Sequence, residues 1–134
     1  MDEKYINIAI KEALKSLKTK DVPVGAVIVK NGKVIAKTHN RKESKQIATY
    51  HAEVLAIEKA CRKLKNWRLN NCVIYVTLEP CKMCMGAIED SRIERLVYGT
   101  INPKKVNSKL KITSKIKEEE CKTIISKFFK NKRK

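Results

Sequence analysis

The 134-residue chain lacks any long apolar run, since no stretch approaches the roughly eighteen consecutive apolar residues of a membrane-spanning helix. We therefore expect no membrane partner. The first residues also lack the uninterrupted apolar segment and the small-residue cleavage site of a secretory signal. Internal repeats and low-complexity linkers are missing as well. We expect one domain over residues 1–134, long enough to bury a core without disulfide bonds.

Cysteine occurs five times, and this odd number without secretory features argues against a disulfide framework. A reducing compartment, and hence a cytoplasmic location, is the expectation. Cys61, Cys72 and Cys121 fall in apolar segments, where a free cysteine packs as a small hydrophobic residue. Cys81 and Cys84 need another explanation.

Acidic residues are scarce, at 14 against 31 lysines and arginines, so the formal net charge is +17. One interpretation is binding to nucleic acid, because bound cations release condensed counterions from a polyanion. The other is AT-rich codon usage, since lysine outnumbers arginine by 25 to 6. The region from residue 104 onward, with twelve basic residues against three glutamates, favours the first interpretation slightly.

Hydrophobic periodicity predicts the element order αββαβαβ(β)α. This order predicts an α/β fold, a three-layer α/β/α sandwich with a mixed five-stranded sheet covered by helices. The first predicted segments are a helix ending near Thr19, a hairpin of Val24–Val29 and Val34–Ala36 around an Asn31-Gly32 turn, and a polar loop over 38–45. A helix from a Thr49 N-cap to Lys65 follows, with an inward stripe of Val54, Ile57, Cys61 and Leu64, and then a strand Cys72–Leu78 and a helix starting at Cys81 with Pro80 at its first position. The last segments are a strand Leu96–Gly99, a short strand over 110–112 and a helix over 117–130 with Cys121, Ile124, Ile125, Phe128 and Phe129 inward.

Three residues have the chemistry of zinc ligands. His51 lies at the predicted start of one helix, and Cys81 and Cys84 lie one turn apart at the start of another. A catalytic zinc site takes three protein ligands and leaves the fourth position for water, whose pKa falls toward about 7. Glu53 follows His51 by two residues and is the candidate general acid/base for that water.

Other interpretations of these residues compete. A lone C-x-x-C pair also occurs as a thioredoxin-like redox centre. A structural zinc would require a fourth protein ligand, and His39 is the other histidine of the chain. Glu53 by itself would be an ordinary acidic residue at a helix start. A non-catalytic zinc-stabilised RNA-binding module would have no reason to place a carboxylate beside the metal.

The segments H-A-E at 51–53 and P-C-K-M-C at 80–84 resemble the known signature of zinc-dependent nucleobase deaminases. Further segments are similar to the bacterial tRNA-specific adenosine deaminases, a family within the cytidine/deoxycytidylate deaminase superfamily. These segments are D-V-P-V-G-A-V at 21–27, T-H-N-R at 38–41, T-L-E-P-C at 77–81, M-C-M-G-A-I at 83–88, S-R-I at 91–93 and S-K-F-F-K at 126–130.

The resemblance implies a cytidine-deaminase-like fold and a homodimeric hydrolase with one Zn²⁺ per subunit. Such an enzyme converts adenosine to inosine at the wobble position of tRNA. By position, His51, Cys81 and Cys84 would hold zinc and Glu53 would move protons. The residues implied in substrate binding are Asn40, Val22, Pro23 and Ala52. The residues implied in holding the anticodon stem-loop are Phe128, Phe129, Lys130, Lys132 and Arg133.

Two departures from the family pattern concern substrate recognition. Tyr50 replaces a small residue before His51, and we expect it to reshape the mouth of the pocket. The segment after Gly99 lacks the usual glycine-bearing loop. A deaminase of free bases or nucleotides, acting on guanine or a pyrimidine, therefore stays open as an alternative, although small cytidine deaminases usually carry cysteine at the position of His51.

Overall fold

The structure is a computed structural model that describes residues 1–104 and 106–132, with only the backbone of Lys132. Lys105, Arg133 and Lys134 lie outside the described residues. Within that part of the chain the elements are α1 (Asp2–Lys18), β1 (Gly25–Lys30), β2 (Lys33–His39), α2 (Lys42–Lys45), α3 (Ala52–Leu64), β3 (Cys72–Leu78), α4 (Lys82–Asp90), β4 (Arg95–Thr100), β5 (Lys111–Thr113) and α5 (Glu118–Lys132).

The five strands form one mixed sheet with the order β2-β1-β3-β4-β5. Strand β1 pairs antiparallel with both β2 and β3, whereas β3, β4 and β5 run parallel. Helices α3 and α4 cover one face, and α1 and α5 cover the other. The prediction of a three-layer α/β/α sandwich with a mixed five-stranded sheet is confirmed.

The β1–β2 hairpin follows from local turn chemistry. Asn31 and Gly32 both have positive φ, 51° and 74°, which is the backbone that a two-residue type I′ loop requires. Lys30 and Lys33 pair on either side of that loop. The turn predicted from the Asn-Gly pair is therefore present at the predicted residues.

The region between β2 and α3 differs from the predicted polar loop. Strand β2 continues to His39, and the four residues of α2 follow almost at once. Asp21, which has no exposed surface, accepts hydrogen bonds from the backbone N–H groups of Glu43 at 2.7 Å and Ser44 at 3.0 Å. This carboxylate comes from the α1–β1 connection and caps α2 from outside the helix.

Helix α3 begins later and packs differently from the prediction. Its N-cap is His51 rather than Thr49, and its first helical residue is Ala52. Ala52, Ala56 and Ala60 are fully buried, whereas the predicted stripe of Val54, Ile57, Cys61 and Leu64 is only partly buried. Small residues on the inner face let the helix axis lie close to the sheet.

Two smaller predictions also need correction. Pro80 precedes the N-cap Cys81 of α4, so it lies outside the helix instead of at its first position. On α5, Cys121 is buried as expected, but Phe129 is 43% exposed. Among the described residues, no helix combines the length and the apolar composition that crossing a membrane requires.

Helix α1 lies very close to the sheet at Gly25, and replacing this glycine tests the packing. A Cβ at this position would overlap the backbone carbonyl of Ala9 and come within 2.7 Å of the amide nitrogen of Ala13. We expect Gly25→Ala to lower the free energy of unfolding by about 3 kcal/mol or more. Urea unfolding would measure it, and unchanged stability would contradict this packing.

Gly86→Ala is the matched control. Gly86 lies inside α4, and a Cβ there would meet nothing within 4 Å. Since alanine is the better helix former, this variant should be more stable than the wild type by about 0.5–1 kcal/mol.

Asp21 generates a second prediction. Burial by itself would raise the pKa of Asp21, but the hydrogen bonds from Thr19, Ser44 and Glu43 outweigh burial and lower the pKa. The carboxylate therefore stabilises the fold above the unfolded pKa of about 3.9, and this contribution is lost as the pH falls through the lower folded-state pKa. We expect Asp21→Asn to cost about 1–3 kcal/mol at pH 7.

Urea unfolding of Asp21→Asn and wild type between pH 7 and pH 3 would measure both effects, with the exposed Glu3→Gln as the control. The gap between Asp21→Asn and wild type should narrow toward low pH. A gap that stays constant, or a loss of the same size in Glu3→Gln, would show that Asp21 does not stabilise the fold through its charge.

Candidate active site

The three candidate metal ligands lie at the starts of two helices on the same face of the sheet. His51 and Cys81 are the N-cap residues of α3 and α4, both with extended backbone, and Cys84 lies in the first turn of α4. Side chains in the first turn of a helix lean toward its N-terminus. The residues therefore point from two neighbouring helices into the space beyond both helix ends.

The distances within this group suit one metal ion. His51 Nδ1 lies 3.7 Å from Cys81 Sγ and 3.5 Å from Cys84 Sγ, and all three ligand atoms lie within 4.8 Å of one another. For bond lengths of about 2.3 Å to sulfur and about 2.1 Å to nitrogen, tetrahedral geometry separates the two atoms by roughly 3.6 Å. The cluster is compatible with a metal site that has three protein ligands.

Protonation within the cluster points the same way. Hydrogen bonds from Cys84 and then His51 lower the pKa of Cys81 to about 3, despite its burial. The bond to Cys81 also raises the pKa of His51, and the pKa of Cys84 is raised chiefly because its thiol donates to Cys81. Shared protons thus hold the side chains of His51, Cys81 and Cys84 together where a divalent cation would otherwise bind them.

Glu53 lies beside this cluster and is only 4% exposed. Burial raises the pKa of Glu53 to about 7, and the charge of Cys81 acts in the same direction, while His51 opposes it. The interaction with the Cys84 side chain lowers the pKa of Glu53 and only partly offsets the effect of burial. A carboxyl group that titrates near neutral pH has the property that proton transfer in both directions requires.

A cavity of about 200 Å³ opens onto His51, Glu53 and Cys81. Of the predicted substrate-binding residues, Asn40, Val22 and Ala52 line it. Pro23 does not; it is buried, and Val24 lines the wall instead. The lining residues are Val22, Val24, Asn40, Lys42, His51, Ala52, Glu53, Leu78, Glu79, Cys81 and Asn102.

Asn40 is held in place by backbone and side-chain bonds. Its Oδ1 accepts the N–H of Lys42 at 3.1 Å, and its carbonyl accepts the hydroxyl of Ser16 at 2.9 Å. In the described part of the chain, Asn40 Nδ2 has no hydrogen-bond partner, and Asn40 is one of the residues that line the cavity. This amide group is therefore available to a ligand.

Glu79 and Asn102 are cavity residues that the sequence reasoning missed. The Oε1 atom of Glu79 accepts the backbone N–H of Asn102 at 3.0 Å, which brings the segment after β4 to the cavity. Glu79 stands directly before Pro80-Cys81, so its position next to the candidate metal ligands was the available signal. The segment after Gly99 reaches the site although it lacks glycine.

Other predicted residues lie elsewhere. Tyr50 lines a neighbouring cleft and is not among the lining residues of this cavity, and its effect on the cavity mouth stays a prediction. Phe128, Phe129 and Lys130 lie on α5, which packs with α1 on the opposite face of the sheet. The side chain of Lys132 and all of Arg133 lie outside the described residues.

Comparison with known proteins agrees with the fold. The profile of the MafB19-like deaminase family matches residues 1–133. The chain is 43% identical to the tRNA-specific adenosine deaminase of Bacillus subtilis (strain 168), over 99% of this chain and 91% of that protein. It is 45% identical to the protein of the same name from Aquifex aeolicus, over 76% of this chain and 68% of the relative.

Solved structures show the same relationship. One comes from a study of A-to-I editing by tRNA:A34 deaminases at the wobble position of transfer RNA; it has a TM-score of 0.86 at 36% identity, over 90% of this chain and 98% of its own. The Bacillus subtilis guanine deaminase has a TM-score of 0.71 at 38% identity, over 74% of this chain and 64% of its own. Because the similarity extends along almost the whole chain in both sequence and fold, the protein belongs to the MafB19-like deaminase family, alongside the bacterial tRNA-specific adenosine deaminases.

Proposed function

We propose that this protein is a hydrolase that deaminates adenosine to inosine at the wobble position of tRNA. The observation that carries the proposal is the buried Glu53, set beside the His51–Cys81–Cys84 cluster in a cavity that also presents the Asn40 amide. The relatives named tRNA-specific adenosine deaminase, at up to 45% identity, support this substrate over others.

We propose zinc as the metal, one ion per chain, held by His51, Cys81 and Cys84. One imidazole and two thiolates form a donor set that zinc prefers, and harder cations such as Mg²⁺ select oxygen ligands instead. When bound, zinc would supply an activated water and leave the fourth ligand position to it. The structural result on which this rests is the mutual distance of the three ligand atoms.

Glu53 would perform the proton transfers. It takes a proton from the attacking water and delivers it to a ring nitrogen of adenine as the water oxygen bonds to C6. It then takes the second proton from the oxygen now bonded to C6 and passes it to the amino group, the C6–N bond breaks, the C6 carbonyl forms, and ammonia leaves. Water and adenosine are consumed and inosine and ammonia are formed, so the carboxyl group returns to its starting state. A pKa of about 7 suits both directions of transfer.

The remaining lining residues would bind the base. Asn40 Nδ2 would donate to the purine, and Val22 and Ala52 would pack against its faces. The cavity volume of about 200 Å³ lies below the ~300–1,000 Å³ typical of drug-sized ligands, so it suits one base turned out of its stack. A base in a loop needs little energy to turn out.

We also propose that the whole chain forms one deaminase domain that acts in the cytoplasm as a homodimer. The family profile covers residues 1–133, and the thiols of the cluster must stay reduced. Met83, next to the cluster on α4, is 40% exposed and offers an apolar contact to a second copy. Met85 and Ile88 are buried in the core and do not.

The central experiment compares wild type with Glu53→Gln on an anticodon stem-loop that carries adenosine at the wobble position. Glutamine keeps the shape but not the proton, so inosine formation should fall at least about 100-fold while zinc content and stability persist. Glu94→Gln, an exposed residue near β4, is the control and should keep full activity. Activity retained in Glu53→Gln would refute the mechanism.

Guanine deamination is the second candidate, because the Bacillus subtilis guanine deaminase is 38% identical over 74% of the chain. The same preparation should therefore also be offered guanine and cytidine. Inosine in the RNA without ammonia release from guanine or cytidine supports the proposal. The opposite result would assign the protein to the free-base deaminases.

Metal content gives an independent prediction. Cys84→Ser should lose bound zinc and inosine formation, whereas Cys61→Ser, a partly buried thiol outside the cluster, should keep both. Chelation should inactivate the wild type and added zinc should restore it. Elemental analysis would measure this, and a metal-free wild type with full activity would exclude a metal-dependent reaction.

A further inference from the structure

A second cavity lies next to the catalytic one, along the edge strand β2 and the exposed face of α3. Its volume is about 600 Å³. We call it the cationic cleft, after the residues Lys37, Arg41, Lys45, Lys59 and Arg62 that line it together with Tyr50. The α3 residues Leu55, Glu58, Lys59 and Arg62 lie at helical spacing, so they form one face of the helix.

The positive charge of this cleft is largely uncompensated. Within the part of the chain that the structure describes, none of its lysines or arginines forms an ion pair. Of its two carboxylates, Glu12 is already bound to Lys15 at 2.6 Å. Only Glu58 remains to balance five cations, so the cleft is a site where an anion gains from binding.

The cleft and the catalytic cavity share a wall. Asn40 and His51 line the catalytic cavity, and their chain neighbours Arg41 and Tyr50 line the cleft. The backbone N–H of Arg41 donates to the carbonyl of Tyr50 at 3.0 Å, which joins the two segments. A polymer with one unit in the catalytic cavity thus has its adjacent units within reach of the cleft.

We propose that the cationic cleft binds the RNA strand next to the reacting nucleotide, with phosphates on the lysines and arginines and an unpaired base on the Tyr50 ring. This inference rests on the proposed function and adds a second binding site to it. The uncompensated positive charge of the cleft favours a polyanion as its occupant. Aromatic rings beside cations are the usual means of holding single-stranded nucleic acid.

The charge part is tested by RNA binding in the inactive Glu53→Gln background. The test variant adds Lys59→Gln and Arg62→Gln. The control adds Lys11→Gln and Lys33→Gln, two exposed lysines that line neither cavity, so both variants lose the same net charge. Anisotropy titration of a labelled anticodon stem-loop at several salt concentrations gives the affinity and its salt dependence.

If the cleft holds two phosphates, the slope of log affinity against log salt should become shallower by about 1.4 in the test variant, at roughly 0.7 per contact for a single strand. The control should keep the wild-type slope. Equal slopes in both variants would overturn the inference. With Glu53 restored, the test variant should show a raised KM and an unchanged kcat.

Two substitutions test whether the Tyr50 ring stacks on a base, one that keeps the ring and one that removes it. Tyr50→Phe keeps a stacking surface and should bind the stem-loop as the wild type does. Tyr50→Ala should bind roughly tenfold more weakly, as expected for loss of one base–aromatic contact. Equal binding by Tyr50→Ala and wild type would overturn the role of the ring.

The outcomes separate this inference from the proposed function. If the wild type forms inosine but the cleft and control variants bind RNA alike, the function stands and the inference fails. If no tRNA is deaminated but the cleft variants still lose RNA binding and salt dependence, the cleft is an RNA-binding site and the proposed function is wrong.

Discussion

The close approach of α3 to the sheet is the constraint on which the site depends. Ala52, Ala56 and Ala60 are fully buried and have small side chains, so α3 lies near the sheet with its N-terminus beside that of α4. The Thr38 hydroxyl donates to the Ala52 carbonyl at 2.6 Å and fixes where the helix starts. A larger residue at these positions would push α3 away from the sheet and move His51 away from the cysteines. The distances between the three ligand atoms would then exceed those that suit one metal ion.

Two helix N-termini meeting at one point also set the charge of the site. Each contributes partial positive charge, which favours the thiolate at Cys81 and prepares the cluster for a cation. Glu53, in the first turn of α3, receives the same field, yet its pKa is raised because burial dominates. Two neighbouring acidic groups thus have pKa values shifted in opposite directions by their surroundings.

Features governed by local chemistry could be predicted from the sequence, and features governed by distant contacts could not. The Asn31-Gly32 turn and the apolar strand Cys72–Leu78 follow from neighbouring residues, and both are present. Helix α2 depends on Asp21, twenty-two residues before Glu43, so no local pattern indicates it. The same applies to Asn102, which Glu79 brings to the cavity. The C-x-x-C spacing is local, whereas His51 is joined to it by ligand chemistry and by the predicted helix starts, and the roles of these residues stay predictions.

The distribution of charge bears on the two explanations of the lysine excess. Codon usage predicts lysines scattered over the surface, paired with carboxylates where chance allows, as Lys117 is with Glu120 at 3.4 Å. It does not predict that five cations, two of them arginines and none in an ion pair within the described residues, line one cleft beside the candidate active-site cavity. Since unpaired charges at close range repel one another, such a cleft costs stability and persists where an anion compensates it. That cost favours a function in nucleic-acid binding over composition alone.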